Sequence, residues 1–118
     1  MEACDVILSY CYPFWEGCPI DYSIHNMKKM YHQAQGVSQG KKVIISETCW
    51  PNKGGSEGGA NPSDANAMKY FINTQEWSAN DNIDIFYFSS FDESWKVGAE
   101  GDVGAYWGLW DKDEQFKF

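Results

Sequence analysis

Three short apolar runs alternate along this chain with two stretches of helical periodicity. The runs cover Asp5 to Tyr12, Lys42 to Ser46 and Ile83 to Phe91, and they are rich in β-branched and aromatic residues. Such runs, bounded by proline, glycine or asparagine, predict β-strands. The second run ends abruptly, because Glu47, Trp50 and Pro51 follow it and a strand rarely continues through such residues.

The two stretches between the strands have apolar residues three and four positions apart, which predicts amphipathic helices. Asp21 is the expected N-cap of the first helix, and Gly36 and Gly40 end it. Ser63 is the expected N-cap of the second helix, which a turn at Asn80 to Asn82 follows. The apolar faces comprise Ile24, Met27, Met30, Tyr31 and Ala34 in the first helix, and Ala67, Tyr70, Phe71, Thr74 and Trp77 in the second.

The resulting order of strand, helix, strand, helix, strand predicts an α/β fold. Helical connections of this length favour parallel pairing and a right-handed βαβαβ unit. All three strands are apolar on both faces, so we expect both faces of the sheet to be covered. With 118 residues the chain forms one domain at most. In such sheets the chemistry gathers at the carboxyl ends of the strands.

Composition and net charge favour some classes of binding partner over others. The net charge of −8 disfavours nucleic acid and anionic membranes, whereas a neutral polysaccharide is compatible with it. Aromatic residues make up 17 % of the chain, with six tryptophans, and flat rings of this kind stack on sugars as well as filling cores. No apolar run approaches the roughly 18 residues of a membrane span. Glu2 and Asp5 stand where a signal peptide would be basic.

The four cysteines indicate neither a metal site nor any other cofactor. Cys4, Cys11, Cys18 and Cys49 lack the close pairing that a zinc site uses. Reduced, buried thiols are one interpretation. A disulfide between Cys11 and Cys49, both at strand ends, is the alternative.

A carboxylate at the end of the second strand is the first candidate for a chemical role. Strand alternation predicts that Glu47 shares a face with Val43 and Ile45, where it would be partly desolvated and would need a partner. Lys96 could supply a charge and Tyr12 a phenolic hydrogen bond. Glycoside hydrolysis needs two carboxyl groups, and the candidates are Glu47, Asp92, Glu93 and Glu100.

A purely structural interpretation stays open for the same residues. Glu47 could cap a loop, and Glu93 could pair with Lys96 as an ordinary ion pair. Trp15, Trp50 and Trp95 follow strand ends, where a substrate would lie, but they could equally belong to the core.

Four segments, in order, resemble glycoside hydrolase family 17, the β-1,3-glucanases and related enzymes. Residues 45–51, Ile-Ser-Glu-Thr-Cys-Trp-Pro, resemble the family's nucleophile motif, and residues 88–96 resemble its last barrel strand. Residues 100–111 resemble its closing segment, and residues 12–15, Tyr-Pro-Phe-Trp, the aromatic end of the strand before the nucleophile.

This resemblance implies a retaining glycosidase acting on a β-glucan or oligosaccharide. Glu47 would be the nucleophile, and Tyr12 would lie beside it. Trp15 or Trp50 would line the glucan cleft. Glu93, Lys96 and Glu100 would orient the nucleophile and the sugar. The resemblance also favours an extracellular or cell-wall location.

The resemblance further implies an incomplete (β/α)8 barrel. Residues 1–118 would form one partial domain that carries strands six to eight, and the missing N-terminal part of the barrel would be its partner. The family's acid/base glutamate lies at strand four within an Asn-Glu pair, which this sequence lacks. Cys49 stands where the motif normally has glycine. We therefore expect the chain alone to be inactive; a non-catalytic glucan-binding module and an inactive fragment are the alternatives.

Overall fold

A three-stranded parallel sheet forms the centre of the molecule. The computed structural model describes residues 6–88, 92, 102–111, 113 and 115–117. The strands are β1 (Val6–Tyr10), β2 (Lys42–Thr48) and β3 (Ile85–Tyr87), and they lie in the order β1-β2-β3. Both neighbouring pairs are parallel. The predicted parallel sheet is confirmed.

Two helices connect the strands. Helix α1 (Ser23–Gly36) joins β1 to β2, and α2 (Asp64–Asp81) joins β2 to β3. A short 3-10 helix, Asp102–Ala105, follows later in the chain. The predicted βαβαβ order is therefore confirmed, with strand bounds that differ by a few residues. No helix in the part of the chain that the structure describes has the length and apolar character needed to cross a membrane.

Both helices pack on the same face of the sheet. Thr48, at the end of β2, is fully buried, and its hydroxyl is hydrogen-bonded to the hydroxyl of Tyr70 in α2. The same hydroxyl lies 3.6 Å from the sulfur of Met27 in α1, and the Tyr70 hydroxyl lies 3.3 Å from that sulfur. The predicted apolar faces of the two helices thus meet over one strand end.

Among the residues that the structure describes, none covers the opposite face of the sheet. Leu8, Tyr10 and Phe86 are 62 %, 71 % and 65 % exposed. The expectation that both faces are covered is wrong for the described residues, because both crossover helices lie on one side. Leu8, Tyr10 and Phe86 are nevertheless of residue types usually found in a protein core, so the sequence indicates a face suited to burial.

The two helix starts differ from each other. Ser63 is the N-cap of α2 as predicted, since its hydroxyl accepts a hydrogen bond of 3.0 Å from the amide of Asn66. Asp21 does not cap α1. It lies in a 3-10 turn, Ile20–Tyr22, and its carboxylate contacts Lys69 of α2 at 2.5 Å. Asp21 therefore pairs with the neighbouring helix instead of beginning its own.

The loops that follow β1 and β2 are in backbone contact. The amide of Gly59 donates to the carbonyl of Gly17 over 2.9 Å. A Cβ atom on Gly54 would lie 2.6 Å from Val103 Cγ1, and its φ of 112° is one that few side chains tolerate. The loops that follow β1 and β2 are therefore closely packed with their neighbours beyond the carboxyl ends of the strands.

Candidate active site

A bulge in β2 decides where Glu47 lies. Ser9 pairs with Ile45 and Tyr10 pairs with Glu47, so that Ser46 is one residue too many for the ladder. The extra residue reverses the alternation: Val43, Ile45 and Thr48 are buried against the helices, while Glu47 pairs with exposed Tyr10. The prediction that Glu47 shares a face with Val43 and Ile45 is wrong for this reason.

Because of the bulge, the Glu47 side chain faces an open cavity at the carboxyl end of the sheet. The cavity has a volume of about 280 Å³ and is lined by Leu8, Tyr10, Ser46 and Glu47. The Glu47 side chain is half-buried, which combines access for a ligand with partial desolvation. The Glu47 backbone is held as well, since the amide of Cys11 donates a hydrogen bond to the Glu47 carbonyl over 3.1 Å.

Tyr12 is brought to Glu47 as predicted. Its hydroxyl donates to Glu47 Oε2 over 2.6 Å, the short length typical of a hydrogen bond to a carboxylate. Tyr12 lies two residues beyond Tyr10, where β1 ends, and the hydrogen bond brings its phenol to Glu47 of β2. One carboxylate oxygen is thereby held by the protein.

The predicted tryptophans have different environments. Trp50 is 2 % exposed, packs on Phe14 and Tyr70, and donates its indole N–H to the carbonyl of Asn61. Trp15 is 39 % exposed. Of the two, Trp15 is the one with an accessible ring surface on which a sugar could stack.

Trp107 packs against Tyr12, Phe14 and Trp15, and the sequence had not singled it out as a site residue. Its ring lies 5.7 Å from Tyr12, 5.6 Å from Phe14 and 5.6 Å from Trp15, measured between ring centroids. Trp107 is 4 % exposed, and its indole N–H has no hydrogen-bond partner among the described residues. The signal that could have found it was the segment Trp107-Gly108-Leu109-Trp110, an apolar patch after a glycine-rich loop.

Cys49 fits the backbone without strain. Glycine at this position would suggest a positive φ, but Cys49 is not among the residues with positive φ. Its thiol is buried and donates to the carbonyl of Trp107 over 2.9 Å. Cys11 and Cys49 form no disulfide with each other, so the alternative of a bond between them is wrong. Burial raises the pKa of the Cys11 thiol above its ordinary value, which keeps that thiol protonated.

A buried ion pair lies at the end of the chain, and sequence reasoning missed it as well. Lys117 Nζ contacts Asp92 Oδ1 at 2.5 Å, and both side chains are 7 % exposed. The same ammonium donates to Asn52 Oδ1 over 2.8 Å. No periodicity marks Lys117, so nothing in the sequence distinguished it from a solvated tail lysine.

Three predicted site residues, Glu93, Lys96 and Glu100, lie outside the described residues, and so does Trp95. Of the predicted set, the structure brings together Tyr12 and Glu47, with Trp15 and Trp50 in the adjoining loops. Within the described ranges, no group of three or more histidine, cysteine or acidic side chains is arranged to hold a metal ion.

Comparison with known proteins places the chain in a family. The sequence profile of the BtgE/BtgC glycoside hydrolase domain matches residues 1–108. The chain belongs to the BtgE/BtgC glycoside hydrolase family. A glucan 1,3-beta-glucosidase of Arthroderma benhamiae is 30 % identical over 95 % of this chain and 41 % of its own length. A probable glucan endo-1,3-beta-glucosidase btgC of Aspergillus fumigatus is 32 % identical over 99 % of this chain and 20 % of its own.

Solved structures agree with this BtgE/BtgC family assignment. The glycoside hydrolase family 17 beta-1,3-glucanosyltransferase of Rhizomucor miehei superimposes with a TM-score of 0.91 at 35 % identity, over 98 % of this chain and 42 % of that one. The resemblance to glycoside hydrolase family 17 is confirmed. The strands and helices match those of TIM-barrel enzymes, and the chain spans less than half the length of these relatives.

Proposed function

We propose that the full-length protein, meaning this chain together with the rest of its barrel, acts on β-1,3-glucan with retention of configuration. Glu47 is the nucleophile in this proposal. The observation that carries it is the half-buried Glu47 carboxylate at the carboxyl end of a parallel strand, with Tyr12 hydrogen-bonded to one of its oxygens. Relatives named for 1,3-β-glucan chemistry support the substrate class.

The reaction has two steps in this proposal. Glu47 attacks the anomeric carbon, the glycosidic C–O bond breaks, and an acid elsewhere in the barrel protonates the leaving oxygen. A covalent glycosyl-enzyme remains. A water molecule or a sugar hydroxyl then attacks the same carbon and releases Glu47, which gives hydrolysis in the first case and transfer in the second.

The remaining parts of the site are assigned as follows. The chain supplies strands six to eight of the barrel, and the acid/base lies on the part that precedes them. Glu93, Lys96 and Glu100 orient the nucleophile and the sugar. Trp15 offers its accessible ring to the glucan, whereas Trp50 supports the loop from within because it is 2 % exposed.

The direct test is Glu47→Ala in the full-length protein, assayed on laminarin. We expect turnover to fall by several orders of magnitude, because no covalent intermediate can form. Added azide should then restore reaction through the space left by the carboxylate and yield a glycosyl azide of inverted configuration. Glu57→Ala is the matched control, since the Glu57 side chain is exposed in the next loop. Wild-type turnover by Glu47→Ala would contradict the assignment.

A second candidate function is non-catalytic glucan binding by the chain itself. It rests on Trp15, which is 39 % exposed and packs on Trp107, the residue whose ring also contacts Tyr12. Calorimetric titration of the chain with laminari-oligosaccharides separates the two functions. Binding that Trp15→Ala abolishes supports a binding module, and the absence of heat removes it.

A further inference from the structure

A lysine beyond the segment matched by the family profile contacts both Asn52, in the loop after the proposed nucleophile, and Asp92. Lys117 Nζ has three acceptors within the protein: Asp92 Oδ1 at 2.5 Å, Asn52 Oδ1 at 2.8 Å and the carbonyl of Tyr106 at 3.5 Å. An ammonium group has three donors, so each is matched by one acceptor. Burial of the pair to 7 % exposure makes this arrangement costly to disrupt.

One of the segments that Lys117 holds follows the nucleophile. Asn52 comes five residues after Glu47, and its amide donates to the carbonyl of Tyr106 over 3.3 Å. Its side-chain N–H donates to Asp64 Oδ1 over 2.8 Å, at the start of α2. Cys49 lies between Glu47 and Asn52 in the sequence, and its thiol donates a hydrogen bond to the carbonyl of Trp107. The stretch after Glu47 is therefore fastened to residues 106–107 at two points.

Another segment that Lys117 holds precedes a predicted site residue. Asp92 Oδ1 also accepts the amide of Gly108 over 3.0 Å, and the Asp92 amide donates to the carbonyl of Trp110 over 2.9 Å. Glu93 is the next residue in the sequence. The backbone and the side chain of Asp92 are thus both held in place by hydrogen bonds, directly before a predicted site residue.

Lys117 reaches this position because residues 115–117 lie antiparallel to residues 109–111. Trp110 and Phe116 form an antiparallel bridge, and the amide of Lys117 donates to the carbonyl of Leu109 over 3.1 Å. Asp111 Oδ1 accepts the amides of Asp113 and Gln115, which shapes the turn. This antiparallel pairing brings Lys117 to Asp92.

We infer that Lys117 is a positioning residue for the glycosidase reaction, which fixes the loop after Glu47 relative to Asp92, the residue that precedes Glu93 in the sequence. This inference rests on the proposed function. Nucleophile and supporting groups act only in a narrow geometry, and a displacement of about 1 Å can cost about 100-fold in rate. The role belongs to the transition state, so it should appear in kcat and leave KM little changed.

The test compares three variants of the full-length protein on laminarin, at a temperature where all are folded. Lys117→Met keeps the length of the side chain and removes its donors, and we expect kcat to fall roughly 10- to 100-fold with KM within about twofold. Lys117→Met combined with Asp92→Asn removes the unpaired buried charge, so its melting temperature should recover while kcat stays low. Lys69→Met is the control, because it removes an exposed ion pair with Asp21 on the helical side.

The outcomes distinguish a failure of the inference about Lys117 from a failure of the proposed function. If kcat recovers together with the melting temperature in the double variant, Lys117 is merely structural and the inference is wrong. If Lys117→Met keeps the kcat of Lys69→Met, the inference is also wrong. Absence of laminarin turnover by the wild-type protein overturns the proposed function itself, and the inference with it.

Discussion

At the residue scale, the site depends on how one oxygen of Glu47 is held. The Tyr12 hydroxyl bonds to Oε2, which orients the carboxylate toward the cavity formed with Leu8 and Tyr10. A hydrogen bond to a charged group contributes about 1.5–3 kcal/mol. Tyr12 is expected to act by fixing the direction of attack, since the phenol itself takes no part in bond making.

Tyr12→Phe tests this arrangement with almost no change in volume. In the full-length protein, we expect kcat on laminarin to fall roughly 10- to 100-fold, the rate equivalent of that hydrogen bond. Steady-state kinetics on laminarin are the measurement. Tyr22→Phe is the control, because Tyr22 is 65 % exposed and lies in the 3-10 turn before α1. Equal rates for the two variants would show that the bond is not used.

The sequence predicted this pair but not its geometry. The motif around Glu47 and the Tyr-Pro pair that follows β1 carried enough chemistry to name both residues. The bulge that turns Glu47 away from Val43 and Ile45 arises from the pairing of β1 with β2. Alternation within one strand contains no information about the register of its neighbour, so it predicted the wrong face.

At the element scale, the packing of two helices against one strand end holds β2 in place. Thr48, Tyr70 and Met27 meet there, and Tyr87 of β3 lies beside Tyr70 with ring centroids 6.3 Å apart. Burial raises the pKa of both the Tyr70 and Tyr87 phenols well above the ordinary value of 10.0. The helical periodicity predicted Met27 and Tyr70 as core residues, whereas the hydroxyl contacts between them depend on the angle at which the helices cross.

This packing predicts that the protein loses stability in alkali. Above pH 10 the unfolded chain releases the two phenolic protons while the folded chain keeps them, so the free energy of unfolding falls as pH rises. Each such phenol contributes about 1.4 kcal/mol per pH unit to the slope until its folded-state pKa is reached. Below pH 10 neither phenol contributes a slope.

Chemical denaturation of the full-length protein from pH 9 upward measures this slope. Tyr70→Phe should be less stable at neutral pH by about 1 kcal/mol, since Thr48 loses a partner, but its slope above pH 10 should be shallower by about 1.4 kcal/mol per pH unit. Tyr22→Phe, with its exposed ring, should keep the wild-type slope. A wild-type slope in Tyr70→Phe would contradict the assignment of this phenol.

At the scale of the whole molecule, the described residues leave an apolar face of the sheet exposed, and the chain spans less than half the length of its relatives. The relatives are more than twice as long as the part that this chain matches. Val6, Leu8, Tyr10 and Phe86 are all exposed on the described chain, although their residue types are those of a core. In a closed barrel the same side chains would face inward and be covered by the other strands.

The predicted consequence is that Leu8→Lys has opposite effects in two contexts. In the chain on its own, a lysine on the open face should reduce self-association, because it breaks an exposed apolar patch. In the full-length protein the same lysine would be a buried, unpaired charge and should destabilise the fold by roughly 3–5 kcal/mol. Light scattering of the chain and thermal melts of the full-length protein measure the two effects. Ile72→Lys is the matched control, since Ile72 is 46 % exposed on the outer side of α2 and should change neither quantity. A full-length Leu8→Lys variant as stable as wild type would mean that this face is not enclosed, and that the chain does not form part of a closed barrel.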